Sequence, residues 1–143
     1  MNRLKITLPG SFRFSTLITI RITDLNYGGH VGNDSFLSLI HEARQQYLQA
    51  HGYKELSIAG AGLIMADVAI EFKKELNHGD IIEISVQAAD FDKLGFDIFY
   101  KLDIVNGDER VLAGKAKTGM ICYDYNLKKK LAVPEEVFKK LSA

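Results

Sequence analysis

The sequence predicts an α+β fold, in which a curved antiparallel β-sheet wraps around one long central α-helix and a short helix lies near the C-terminus. Three observations predict it. Only one long segment has helical spacing of apolar residues, the segments on either side alternate apolar and polar residues, and the later segments are joined by short turns. An antiparallel sheet can bury one face and leave the other in water, so one apolar helix on the inner face closes the core. We expect a single domain, 1–143, because this length suits one core.

The first strand and the helix are predicted from a change in the spacing of apolar residues along the sequence. Apolar residues alternate over 11–23, which is typical of a half-buried strand. From Asn33 to His51 the apolar residues recur at helical spacing, over an unusually wide face. Asn33 or Asp34 is expected to cap the start through a side-chain oxygen, and Gly52 suits the position just after the end.

Four further strands and a short helix complete the pattern. The strands are predicted at 63–72, 81–90, 94–105 and 110–125. Turn signals at 77–80 and 106–109 give short connections, which make these later strands antiparallel neighbours. Pro134 opens the final helix, in the first turn where proline is tolerated.

Composition excludes several classes of protein. Eighteen basic and eighteen acidic residues give zero formal charge, which argues against a nucleic-acid binder that relies on a basic excess. The single cysteine, Cys122, excludes an intrachain disulfide framework and fits a reducing compartment. There is neither an apolar run near the start typical of a secretory signal nor one approaching the ~20 residues that span a bilayer. We therefore expect a cytoplasmic protein with no membrane partner.

The loop between the first strand and the helix has more polar and glycine residues than a turn needs. It carries an aspartate, two asparagines, a histidine and three glycines: Asp24, Asn26, Asn33, His30, Gly28, Gly29 and Gly32. Glycines let backbone amides approach a ligand, and a helix N-terminus has unpaired N–H groups that favour negative charge. The loop is therefore a candidate site, although each residue also has an ordinary structural interpretation in turns and caps.

These residues resemble the hotdog-fold thioesterases of the 4-hydroxybenzoyl-CoA thioesterase-like superfamily. The most specific feature is the series Asp24, Asn26, His30 and Asn33, followed on the helix by Phe36 and "HEAR". The segments "VAIEFKKELNHGDIIEI" and "AGKAKTGMICYDYNLKKKLAVP" are similar to later strands of the family, so the resemblance covers nearly the whole chain. The loop "DLNYGGHVGND" departs from the shorter Asp-Pro-Ala-Gly type of the best-known branch, and its Asn-His pair is more common in acyl-carrier-protein thioesterases.

The resemblance implies an enzyme that hydrolyses acyl-CoA or acyl-carrier thioesters without a metal or other cofactor. It also implies dimers or tetramers with active sites at dimer interfaces. Thioester hydrolysis needs an activated water or nucleophile and donors for the developing oxyanion. Asp24 is predicted to be the general base or nucleophile, with a pKa raised by apolar neighbours, or else a turn cap. Asn26, His30 and Asn33 are predicted to orient water or the thioester carbonyl; Asn33 also competes as a helix cap, and His30 as a partner of loop carbonyls.

The remaining site predictions concern substrate contacts and a second carboxylate. Tyr27, Gly28, Gly29, Gly32, Phe36 and Asp67 are the predicted substrate-binding residues. Glu42 is the alternative catalytic carboxylate, because some branches of the family use one on the helix; otherwise it is a solvated surface residue. Arg44 falls within the apolar face, so it must be paired with loop carbonyls or an acidic partner.

Two other functions compete with thioester hydrolysis. A non-catalytic hotdog protein would bind acyl ligands or serve as an oligomeric scaffold. A hotdog dehydratase or hydratase is disfavoured, because its chemistry usually occurs in a Pro-Gly context and this loop contains no proline.

Overall fold

A computed structural model describes residues 1–142 and contains two α-helices, one 3-10 helix and six strands within that range. The helices are α1 (Asn33–Ala50) and α2 (Glu135–Leu141), and the 3-10 helix spans Ile22–Asp24. The strands are β1 (Phe14–Thr19), β2 (Gly62–Phe72), β3 (Ile81–Ala89), β4 (Gly95–Asn106), β5 (Glu109–Asp124) and β6 (Lys129–Lys130). The curved antiparallel sheet, the long helix and the short C-terminal helix confirm the predicted fold class.

The sheet has the strand order β1-β3-β4-β5-β2, and β6 pairs with β5. Strands β3, β4 and β5 are sequential neighbours, as predicted. The prediction is wrong for β2 and β3, because β2 pairs with β5 and forms the far edge of the main sheet. The connection 73–80 must therefore travel from one side of the sheet to the other, which brings it across the loop that precedes α1.

Helix α1 supplies the centre of the core. Its buried residues are Phe36, Leu39, Ile40, Ala43, Arg44, Tyr47 and Leu48. They pack in one cluster with the inward residues of the sheet, among them Ile84 on β3, Ile98 on β4 and Ala116 on β5. Burial of this wide apolar face, at about 25 cal/mol per Å² of apolar surface, is what holds the helix against the sheet.

The first strand is shorter than its alternation predicts. β1 ends at Thr19, and the chain turns into the 3-10 helix, so Ile22 is exposed where the pattern placed it inside. The cause is local: the Asp24 carboxylate accepts the Arg21 backbone N–H at 2.8 Å and closes the turn. Asp24 thus ends a 3-10 helix, whereas the sequence placed it at the end of a strand.

A β-bulge interrupts the alternation predicted for β2. Met65 pairs with Met120 and Asp67 with Gly119, so Ala66 is the extra residue. Before the bulge Leu63 faces the core, and after it Val68 lies opposite the buried Thr118. The uninterrupted alternation predicted for the strand 63–72 is therefore wrong.

The helix boundaries follow the predicted signals with one exception. Gly52, just after α1, has φ = 82°, and Pro134 precedes the first residue of α2. The N-cap of α1 is Gly32, and no side chain caps this end, so the predicted capping by Asn33 or Asp34 is wrong. Neither helix in residues 1–142 has the length and apolar character needed to cross a membrane.

Candidate functional site

The connection from β2 to β3 and the loop before α1 form a cleft of about 380 Å³. The loop and α1 contribute Asn26, His30, Val31, Asn33 and Phe36, and the end of β2 and its connection contribute Phe72, Lys73, Lys74, Glu75 and Leu76. Val31 N–H donates to the Leu76 carbonyl at 3.0 Å, and Leu76 is buried. This backbone contact fixes the two segments against each other, so the cleft is a consequence of the crossing connection.

Asn26 shapes the loop through its own hydrogen bonds. Its side-chain Oδ1 accepts the Gly28 N–H at 2.9 Å, and its backbone N–H donates to the His30 carbonyl at 2.8 Å. The first contact is an Asx turn, which holds a tight reversal without regular secondary structure. Asn26 thus has the ordinary turn role considered for it and also lines the cleft.

His30 is held by side chains from the crossing connection. Its Nδ1 lies 3.0 Å from Asn77 Oδ1, and its Nε2 lies 3.3 Å from Glu75 Oε2. Glu75 and Asn77 thus present one side-chain oxygen to each ring nitrogen. His30 therefore pairs with side-chain oxygens. The structural role predicted from the sequence was instead a hydrogen bond to loop carbonyls.

The N-terminus of α1 opens beside these residues. The first hydrogen bond at this end runs from Phe36 N–H to the Gly32 carbonyl at 2.9 Å, and Asn33 is the first helical residue. An α-helix leaves its first amides without intrahelical partners, and its dipole makes this end electropositive. Gly32 packs closely here, since a Cβ on it would lie 2.7 Å from Asp34 Oδ1.

Two aromatic rings form the apolar part of the cleft. Phe36 is buried and meets the half-exposed Phe72 edge to face, with ring centroids 5.1 Å apart. Gly114 on β5 makes room for Phe36, because a Cβ there would lie 2.7 Å from Phe36 Cζ. Phe36 was predicted from the sequence as a substrate contact, whereas Phe72 was predicted only as the last residue of the strand 63–72.

Asp24 lies apart from the other three predicted catalytic residues. Its side chain lines a separate depression between β1 and α1, of about 340 Å³, together with Arg21 and Glu42. Asp24 is only 5% exposed, and Arg21 binds both of its oxygens, through the backbone N–H at 2.8 Å and a guanidinium nitrogen at 3.1 Å. The loop thus unites Asn26, His30 and Asn33 in one cleft and turns Asp24 away from them.

The electrostatics of Asp24 are opposite to the expectation. Burial alone would raise its pKa, but the hydrogen bonds from the Arg21 side chain and backbone, with the guanidinium charge, outweigh it and lower the pKa below its ordinary value. The predicted rise is wrong because the sequence pattern placed apolar residues around the carboxylate and missed its neighbour Arg21.

Glu42 is an exposed residue of α1. Its carboxylate accepts the Gln46 side-chain amide at 2.7 Å, one helical turn away. It lines the depression that holds Asp24. The structure thus brings the two carboxylates predicted for catalysis to the same side of the loop, away from the cleft.

Several predicted substrate-binding residues also lie outside the cleft lining. Tyr27, Gly28 and Gly29 form the exposed tip of the loop. Asp67 pairs with Lys117 at 2.8 Å and accepts the Gly119 N–H, on the sheet face opposite that of Val68. The hydrogen bond from Lys117 lowers the pKa of Asp67, as expected for a carboxylate in an ion pair.

Arg44 has the acidic partner that its position required. Its Nε donates to Glu55 at 2.7 Å and its NH1 group to the buried Tyr100 hydroxyl at 3.2 Å. Tyr100 in turn pairs with Thr118 at 2.8 Å. This network lies between α1 and the sheet and does not reach the loop carbonyls.

Sequence reasoning missed the residues that the crossing connection contributes. Glu75 and Asn77 lie in a charged, turn-like stretch, where exposed polar residues are ordinary. The only available signal was that Glu75 precedes and Asn77 begins the predicted turn at 77–80, and a turn signal does not show which other segment the turn contacts. Among residues 1–142, no group of three or more His, Cys, Asp or Glu side chains is arranged to hold a metal ion.

Comparisons with known proteins identify relatives over most of the chain. A family model described as the thioesterase-like superfamily matches residues 20–141. A 1,4-dihydroxy-2-naphthoyl-CoA hydrolase from Rippkaea orientalis is 27% identical over 128 residues, which cover 87% of this chain and 92% of that protein.

Solved structures of thioesterases have the same fold. A 1,4-dihydroxy-2-naphthoyl-CoA thioesterase from Synechocystis superposes with a TM-score of 0.75 at 18% identity, covering 90% of this chain and 94% of that one. A member of the thioesterase superfamily from Jannaschia gives a TM-score of 0.79 at 18% identity, covering 94% and 89%. The expected hotdog fold is confirmed by these structures.

Proposed function

We propose that this chain, which belongs to the thioesterase-like superfamily, hydrolyses an acyl-CoA thioester in the cleft between the loop before α1 and the β2–β3 connection. One observation carries the choice of site: the cleft joins Asn26, His30 and Asn33 to an open helix N-terminus and an aromatic surface. Thioester hydrolysis needs polar groups around the carbonyl and an apolar surface for the acyl chain, and both are present there.

An aromatic acyl group is the substrate class that we favour. The relative from Rippkaea orientalis is named for a naphthoyl-CoA substrate, and so is the thioesterase from Synechocystis. The edge-to-face pair of Phe36 and Phe72 offers an aromatic surface at the cleft, and aromatic rings favour offset or edge contacts with one another. Coenzyme A rather than an acyl-carrier protein is favoured by the same two names.

The backbone amides at the start of α1 are proposed as the oxyanion hole. They belong to a helix end that no side chain caps, and Asn33 and Asn26 lie beside it in the cleft. Negative charge on the carbonyl oxygen would be stabilised by these donors and by the helix dipole. Asn33 thus acts from the first helical position, where its side chain is available to substrate.

Asp24 is proposed to position the loop, and this replaces its predicted role as base or nucleophile. A general base needs a free lone pair near the water that it activates. Both oxygens of Asp24 are engaged by Arg21, and the residue lines a different depression from the cleft. Its contribution to activity would come through the turn that aims the loop into the cleft.

A homodimer or homotetramer is proposed as the assembly. Strand β2 is an edge of the sheet, and Met65, Val68 and Phe72 expose apolar side chains along it. A long apolar edge is a template for pairing with another strand. Since Phe72 also lines the cleft, a partner strand at this edge would border the site.

Thiol release from a panel of CoA thioesters tests the proposed function. The panel should contain aromatic, short aliphatic and long aliphatic acyl groups, with matching acyl-carrier substrates. We expect wild-type protein to turn over aromatic acyl-CoA with the highest kcat/KM. His30→Asn should lower kcat/KM by about 10²-fold or more, because His30 is the side chain that links the loop to Glu75 and Asn77 of the connection at the cleft.

The matched control is His78→Asn, which changes an exposed histidine of the same connection outside the cleft lining. It should leave kcat/KM unchanged. Absence of thiol release from every substrate would overturn the proposal. Tight binding of acyl-CoA without turnover would then support the non-catalytic acyl-binding alternative.

A further inference from the structure

We propose that Glu75 is the general base that activates the hydrolytic water, held in place by His30. The inference rests on the proposed function and names the residue that removes the proton in that same cleft. Glu75 replaces Asp24 and Glu42, the two carboxylates predicted from the sequence as catalytic.

Glu75 lies where a base is needed. Glu75 lines the cleft together with Asn26, Asn33 and Phe36. The side chain is 71% exposed, so water reaches it. Among residues 1–142 it is the one carboxylate in the lining of this cleft, and neither Asp24 nor Glu42 is part of it.

His30 restrains this exposed side chain. A surface glutamate samples many rotamers, and holding it in one geometry costs entropy. The contact from His30 Nε2 to Glu75 Oε2, at 3.3 Å, selects the rotamer that faces the loop, and Asn77 at 3.0 Å from Nδ1 fixes the imidazole ring. The histidine engages Oε2, so the lone pairs of Oε1 remain able to accept a proton from water.

The same arrangement explains why the histidine itself is a poor choice of base. Both ring nitrogens already face side-chain oxygens, Nδ1 that of Asn77 and Nε2 that of Glu75. A base must have an unshared lone pair directed at the water. His30 is therefore a positioning residue, and Glu75 is the group that contacts the water.

The reaction balances with these groups alone. Glu75 takes one proton from water while the water oxygen forms a bond to the thioester carbonyl carbon. The carbonyl π electrons move onto oxygen, where the amides at the start of α1 stabilise the negative charge. Collapse of the tetrahedral intermediate breaks the C–S bond, and the departing thiolate recovers the proton from Glu75, leaving a carboxylic acid, a thiol and the original carboxylate.

The test compares Glu75→Gln, Glu75→Asp and Glu75→Ala with wild type on the best thioester of the panel. Glu75→Gln should lower kcat by about 10²–10⁴-fold, the usual contribution of general-base catalysis, with a much smaller change in KM. Glu75→Asp should keep part of the activity. Because the side chain is exposed, we expect all three variants to unfold at the wild-type denaturant midpoint. Glu109→Gln, which removes an exposed carboxylate at the β4–β5 turn, is the matched control and should retain full activity.

Two readouts separate a base from a merely structural glutamate. The wild-type kcat/KM should fall at low pH, as for a reaction that needs a general base, and Glu75→Gln should lose this low-pH limb. Added formate should restore part of the hydrolysis by Glu75→Ala, because a small carboxylate can enter the vacated space.

If the kcat of Glu75→Gln stays within about threefold of the wild-type value, the assignment of Glu75 as base is overturned, while the proposed function remains intact. So would a loss of activity that keeps the low-pH limb and resists formate. A wild-type protein that hydrolyses no thioester would instead overturn the proposed function, and with it any catalytic base.

Discussion

At the scale of single residues, Asp24 shows how two contacts with one neighbour decide the chemistry of a carboxylate. Arg21, three positions earlier, binds it through both backbone and guanidinium. The turn that results ends β1 and starts the loop, so the same contacts that lower the pKa of Asp24 also set the direction of the chain. A carboxylate used in this way contributes stability more than reactivity.

We therefore predict that Asp24→Asn lowers the free energy of unfolding by roughly 1–3 kcal/mol at neutral pH, the range for hydrogen bonds to charged groups. Because the folded-state pKa lies below the unfolded value of about 3.9, this stabilisation is present above that pH and is lost as pH falls through the folded pKa. Urea denaturation of wild type and variant should give curves that converge below about pH 4.

Asp108→Asn, at the exposed β4–β5 turn, serves as the control and should differ little from wild type at every pH. In the thioester assay, Asp24→Asn should lower activity far less than Glu75→Gln. An Asp24→Asn protein that is as inactive as Glu75→Gln but as stable as wild type would contradict the positioning role of Asp24.

At the scale of secondary structure elements, sequence periodicity predicted what faces the core but not which strands meet. The alternation on β4 and the helical spacing on α1 correspond to buried residues, since burial follows directly from side-chain direction. The bulge at Ala66 was not visible, because one extra residue changes the pairing without changing the composition. Nor could periodicity show that β2 and β3 lie apart.

The same limit applies to the candidate site. Asn26, His30, Asn33 and Phe36 were predicted because they lie close together in sequence around the start of the helix. His30 meets Asn77, 47 residues away, only because the connection crosses the loop, and that follows from strand order. Glu75 became a candidate base only because the β2–β3 connection crosses the loop, whereas Asp24 was predicted as the base from its place in the sequence motif.

Helix α1 is tied to the sheet by a polar network as well as by its apolar face. We predict that Arg44→Ala destabilises the protein by about 3 kcal/mol, the lower end for breaking a buried ion pair, because Glu55 keeps partial access to water. The loss arises from removing the buried guanidinium that donates to both Glu55 and the Tyr100 hydroxyl. Chemical denaturation measures it, and the adjacent surface change Gln45→Ala should stay within about 0.5 kcal/mol of wild type. An equal effect of both substitutions would contradict the network's importance.

At the scale of the whole molecule, the two edges of the sheet are unequal. Strand β1 has six residues and alternates with polar side chains such as Ser15 and Thr19 on its outer face. Strand β2 has eleven residues and exposes Met65, Val68 and Phe72. A longer ladder satisfies more backbone groups on pairing, and apolar side chains add buried area, so β2 is the edge expected to receive a partner.

We predict that wild-type protein sediments as an oligomer and that Val68→Lys gives a smaller species in sedimentation velocity, because a charge at the centre of the proposed strand interface would be buried without a partner. Leu17→Lys is the matched control: Leu17 is an exposed apolar residue on β1, the opposite edge strand. It should sediment as wild type.

If the cleft is completed at this edge, Val68→Lys should also lose activity in parallel with the change in mass, since Phe72 borders both the cleft and the edge strand. Dissociation by Leu17→Lys instead would move the interface to β1, and an unchanged mass for both variants would show that neither edge strand holds the assembly together.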